Sequence, residues 1–128
     1  MKKQVELTGE KLELAAKYLA TSNLCTLDQA LEGGRGFGFS RENRSKCLTD
    51  MKSLERAVDR AVDIAIEGAM EGMAMDSGGY LDRYETKAIK MVDAEIKSFR
   101  SDLKAGGKRA KFWIKTLTKE IPFLFQEA

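Results

Sequence analysis

Cys47, Met51, Leu54, Val58, Ala61, Ala65, Gly68, Gly72 and Met75 follow one another at alternating steps of four and three residues, a heptad-like seam sustained over four repeats. That period puts every one of them on the same side of a single long helix, and such a side is stable in water only against a partner. The chain supplies one: beyond the turn residues Asp76-Ser77-Gly78-Gly79, Ile89, Val92, Ile96, Phe99 and Leu103 keep the same alternation. Folded as an antiparallel hairpin, the two segments set Phe99 and Ile96 opposite Ala61 and Ala65, and Val92 opposite Gly68, so large side chains meet small ones. Gly68 and Gly72 each lower helix propensity by up to ~1 kcal/mol, which implies close packing at these positions, or a bend or end of the helix.

Shorter helices flank the hairpin. Thr8 reads as an N-cap with Leu7 and Leu12 as a staple across it, and Leu12, Ala15, Ala16 and Leu19 mark one face of a helix ending near Thr21-Ser22-Asn23. Thr26-Leu27-Asp28-Gln29 has capping-box spacing and opens a second helix to about Glu32, stopped by Gly33-Gly34. Ser40 is placed to cap the long helix, and Asp82-Arg83-Tyr84-Glu85 to restart the chain after the turn. Gly106-Gly107 then separates off a last helix carrying Phe112, Trp113, Ile114 and Leu117, which Pro122 ends. The expectation is an all-α fold, a four- to five-helix bundle built on one long antiparallel hairpin. It forms a single domain over 1–128: N-terminal helices 1–32, a Gly/Phe loop 33–40, the hairpin 41–106, and a C-terminal helix with an apolar tail 107–128. A composition 43% hydrophobic and 33% charged with one proline suits that class, and 128 residues suffice for one core.

The residue inventory narrows the chemistry. Histidine is absent, which removes the usual general base and the commonest transition-metal ligand. Cys25 and Cys47 have no paired spacing, and no carboxylate spacing resembles a calcium loop. No catalytic residue, cofactor or metal is therefore expected, and the chain reads as a binding protein rather than an enzyme. Met1-Lys2-Lys3 is not followed by an apolar core, and no run approaches the ~20 apolar residues of a membrane span. A cytoplasmic protein without membrane contact is the expectation.

Arg35-Gly36-Phe37-Gly38-Phe39-Ser40 resembles the third-strand signature of the RNA-recognition-motif family, whose aromatics stack on unpaired bases from one face of a four-stranded sheet. The resemblance implies base stacking for Phe37 and Phe39 and a phosphate or base contact for Arg35. It covers six residues of 128, and the 34 residues before it hold neither the family's companion strand motif nor a β-α-β order. Two readings of the loop follow: a connector whose phenylalanines anchor it to the bundle, or a recognition loop adaptable to a partner.

Charge is divided along the chain although the net charge is only +2. Residues 61–82 hold Asp63, Glu67, Glu71, Asp76 and Asp82 without Lys or Arg, and residues 104–119 hold Lys104, Lys108, Arg109, Lys111, Lys115 and Lys119 without an acid. The leading expectation is a small non-catalytic protein acting through protein–protein contacts, with another protein or with itself as a homodimer. Its contact residues would be Arg35, Phe37, Phe39, the methionines Met70, Met73 and Met75, and Phe123 and Phe125 of the apolar tail. Compact effectors and inhibitors encoded by bacteria and phages, directed at a host or a defence system, share this profile as a class. The alternative is nucleic-acid binding through Arg41, Arg44, Lys46, Lys108, Arg109, Lys111 and Lys115, with Trp113 stacking a base.

Overall fold

A computed structural model describes residues 7–32 and 44–126 of the chain, and every regular element among them is helical. In order they are α1 (Gly9–Asn23), α2 (Thr26–Glu32), α3 (Arg44–Cys47), α4 (Met51–Ser77), α5 (Glu85–Ala105) and α6 (Gly107–Glu120), with 3-10 turns at Leu81–Tyr84 and Pro122–Phe125. The all-α bundle is thus the observed fold. α4 and α5 pack together as the hairpin, α1 lies against both, α2 packs on α4, and α6 packs on α5. The Gly/Phe loop, with Arg35, Phe37 and Phe39, and the residues Ser40 and Arg41 fall outside the described residues.

Local chemistry sets the boundaries. Between α1 and α2 the chain reverses through Cys25, whose φ of 61° is left-handed, while the Leu24 and Cys25 amides donate to Ala20 O and Ser22 O, each at 3.1 Å. These bonds satisfy carbonyls that the end of a helix leaves without partners. The long helix begins later than its seam suggests. Cys47 belongs to the single turn α3, and α4 starts at Met51 behind a reciprocal capping box, in which Asp50 accepts from the Ser53 amide at 2.7 Å and Ser53 Oγ accepts from the Asp50 amide at 3.1 Å. The Ser53 amide bond also holds the Asp50 carboxyl below the usual carboxylate range. Leu48 rather than Cys47 enters the core at this point, so the spacing that extends back to Cys47 does not mark a continuous helix.

One core joins the elements. Tyr18, Leu19, Leu27, Leu54, Val58, Ala61, Val92, Ile96, Phe99, Leu117 and Leu124 are buried in a single cluster. Each large aliphatic among them contributes roughly 1.5–3 kcal/mol of transfer free energy. On α4 burial then stops partway along the hairpin, at Ala65, whereas on α5 it runs from Ala88 to Phe99. Length explains it: α4 has 27 residues and α1 has 15, spans of about 40 Å and about 22 Å at the helical rise. The hairpin therefore outruns the helices that cover it.

That geometry corrects the expected role of the small residues. Gly68 and Gly72 are exposed, and a Cβ added at either would meet nothing within 4 Å among the described residues. Val92 does not fill the space over Gly68, since both line the wall of an open cleft. The helix neither ends nor hands over to a close neighbour at these glycines, so within the free chain they are a cost in helix propensity. Gly72→Ala is expected to raise stability by roughly 0.5–1 kcal/mol, read as a higher denaturant midpoint at unchanged slope.

Candidate functional site

The most concentrated polar chemistry surrounds Arg44, whose side chain is 0% exposed. Its Nη1 donates to Ser22 Oγ at 2.7 Å, to Glu120 Oε1 at 3.1 Å and to Tyr18 Oη at 3.2 Å, and its Nη2 donates to Asp28. Tyr18 donates its hydroxyl to Glu120, and the guanidinium carbon stands 5.6 Å from the Tyr18 ring centroid. Burial opposes the guanidinium's charge, but the hydrogen bonds to Asp28 and Tyr18 outweigh it, so its pKa lies above the usual arginine value. Burial together with the hydrogen bond to Glu120 pushes the Tyr18 hydroxyl up. One cation thus ties α3 to α1, α2 and α6.

This placement corrects the reading of Arg44 as a phosphate contact. A guanidinium enclosed by two carboxylates, a hydroxyl and a phenol has no face left for a nucleic acid, so the cluster is a structural clamp. Trp113 is half-buried: its ring sits edge-on to Phe99 with centroids 5.1 Å apart, its indole N–H is buried without a partner among the described residues, and it borders a cleft beside Phe112. Lys46, Lys108, Arg109, Lys111 and Lys115 are exposed, Arg109 lying 3.6 Å from Asp102. The apolar tail folds back as a lid. Ile121, Leu124 and Phe125 are buried in the core and Phe123 is half-buried against it, which removes Phe125 from any exposed contact surface.

Apart from Leu24 and Phe112, the exposed large apolar side chains among the described residues lie on the part of the hairpin beyond α1. Met75 is 86% exposed, Tyr80 is 88% exposed, and Leu81, Ile89 and Met91 also face solvent, whereas Met70 and Met73 are half-buried. At the base of this arm a cleft of about 670 Å³ opens between α4 and α5 at the corner where α1 ends. Its apolar wall is Ile64, Ala65, Ala69, Met91 and Val92, interrupted by the bare backbone of Gly68. Glu67, Glu71 and Glu95 give it an acidic rim, Leu24, Thr26 and Gln29 close one end, and no Lys or Arg lines it among the described residues. The Asn23 side-chain amide donates to Glu95 Oε1 at 3.0 Å, which fixes the boundary between the α1 corner and the cleft.

Physically the cleft is the continuation of the α4–α5 groove that α1 fills further down. A surface of this kind, concave, apolar-floored and edged by charge of one sign, recognises a ligand by burial and by opposite charge at its edge. None of Met70, Met73 and Met75 lines it, although Met91 does. Sequence reasoning passed over Leu24, Met91 and Glu95. The available signal was the repeat of acid beside glycine, Glu67-Gly68 and Glu71-Gly72, which puts carboxylates at the edge of an uncovered stripe. Among the described residues no helix is long and apolar enough to cross a membrane, and no three potential metal ligands converge. No protein-family model, curated protein or solved structure matches the chain.

Two outcomes follow from the clamp. Arg44→Ala leaves Glu120 buried without its cation and should lower stability by about 3–5 kcal/mol, whereas Lys46→Ala, two residues away and exposed, should stay within about 0.5 kcal/mol; chemical denaturation of both reads the contrast. The second concerns pH. The folded pKa of Tyr18 is raised, so its contribution to stability is complete below the ordinary tyrosine pKa of about 10 and is lost as pH climbs through the folded value. Alkaline titration followed by tyrosinate absorbance should show one of the three tyrosines ionising late, together with loss of structure.

Proposed function

We propose that the chain is a non-catalytic protein-binding module whose docking site is the acidic cleft at the base of the hairpin arm. Its ligand is a helical segment with an apolar centre and basic flanks. The observation that carries this reading is the cleft itself: an α4–α5 groove that accepts a helix, α1, along one stretch and lies open along the next, with Glu67, Glu71 and Glu95 at its edge. Gly68 supports it, because a glycine that none of the described residues covers lets an incoming backbone come close. Such a module acts by occupation, the mode of an inhibitor or adaptor. The nucleic-acid reading has less behind it, since Arg44 is turned inward, Trp113 is half-buried, and the exposed Lys46, Lys108, Arg109, Lys111 and Lys115 carry it without the clamp arginine.

The test is titration with a helix-stabilised synthetic peptide carrying lysines one turn on either side of a phenylalanine. Binding should weaken with salt, fall about tenfold or more in the Glu67→Lys, Glu71→Lys variant, and be lost when the peptide lysines become glutamates. Equal binding of the basic and acidic peptides would refute the proposal.

A further inference from the structure

The charge complement of the cleft is present in the same molecule. Lys108, Lys111, Lys115 and Lys119 recur along α6 at steps of three and four, so they share one side of the helix. Phe112 lies among them and is 59% exposed, the largest exposed apolar side chain of α6. The other side of α6 is committed to the body: Ala110 and Leu117 are buried, and Trp113 and Ile114 pack against the core. A basic helix with a phenylalanine at its centre is therefore displayed in a fixed orientation, and little ordering is required of it on binding.

The two surfaces are also neighbours. Glu95 lines the acidic cleft and also a second, shallower cleft of about 490 Å³ bordered by Lys108, Arg109, Phe112 and Trp113, and the Asn23–Glu95 hydrogen bond sits at the junction. Adjacent complementary surfaces are what a two-fold dimer uses, because an axis passing between them sets each against its opposite on the other copy.

We infer that the chain forms a two-fold homodimer in which Phe112 of each copy enters the acidic cleft of the other, with Lys108 and Lys115 meeting Glu67 and Glu71. This rests on the cleft being a helix-docking site and names its occupant. Lys108 and Lys115 stand one turn to either side of Phe112, so the ring enters between the two charges. The apolar wall of Ile64, Met91 and Val92 receives it beside Gly68.

The experiment is analytical ultracentrifugation of the full chain with no peptide added, across a concentration series at low and high salt. Wild type should form a dimer that weakens with salt. Glu67→Lys with Glu71→Lys, and separately Lys108→Glu with Lys115→Glu, should each raise the dimer dissociation constant by about tenfold or more, since like charges then meet at both contacts. Mixing the two variants restores opposite charge at both contacts, so an equimolar mixture should recover a one-to-one heterodimer. All four positions are exposed, and recovery on mixing also shows that both variants are folded. A chain monomeric throughout the series overturns the inference, as does a dimer indifferent to either variant or a mixture that stays monomeric. A monomer that still binds the basic peptide overturns the dimer alone and leaves the reading of the cleft standing.

Discussion

A single buried cation organises the molecule. Removing a guanidinium from water carries a penalty of several kcal/mol that only close partners offset, so Arg44 can be interior only where Asp28, Glu120, Tyr18 and Ser22 all reach it. Those partners come from α2, α6 and α1, separated from Arg44 by between 16 and 76 positions. The requirement fixes how the N-terminal helices, the short turn α3 and the end of α6 stand to one another. Hydrophobic burial supplies most of the stabilisation, while the clamp joins α1, α2, α3 and α6 through one buried side chain.

From this arrangement the surface follows. With α1 held by Tyr18 and Ser22 at the clamp, its end and the corner through Cys25 fall partway along the hairpin. The α4–α5 groove beyond that corner is left uncovered by the described residues, and the clustering of acids in 61–82 puts negative charge at its edge. Its wall is apolar because it is made by the same seam that builds the core. A seam longer than the body that covers it leaves an open apolar groove without any change of pattern.

The all-α class, the hairpin and the limits of α1 and α2 were legible in the sequence, because alternating spacing and the turn residues at Gly78 and Gly106 report on local geometry, whereas the left-handed turn at Cys25 carries no such signal. The start of α4 was not. The seam runs in phase through Cys47, and the Asp50–Ser53 box that interrupts it looks like ordinary polar surface. Gly68 and Gly72 were read as close packing because small residues in a seam usually mean a near neighbour, and the length of α1, which decides whether there is one, is a property of a distant segment. Arg44 was the hardest to read. In Arg41-Glu42-Asn43-Arg44-Ser45-Lys46 nothing local separates a buried arginine from a solvated one, since its partners are remote in sequence. Trp113 and Phe125 show the same limit: an aromatic beside lysines or in a tail is core or surface according to what folds over it.

The proposed function stands or falls with the docking of a helix in the open stretch of the α4–α5 groove. Amide hydrogen exchange resolved by residue, with and without a saturating basic helical peptide, measures that directly. Slowed exchange confined to α4 from Ile64 to Gly72, to α5 from Met91 to Glu95 and to the Leu24 corner is the predicted result. Protection elsewhere on the bundle, or none at any residue, would contradict it.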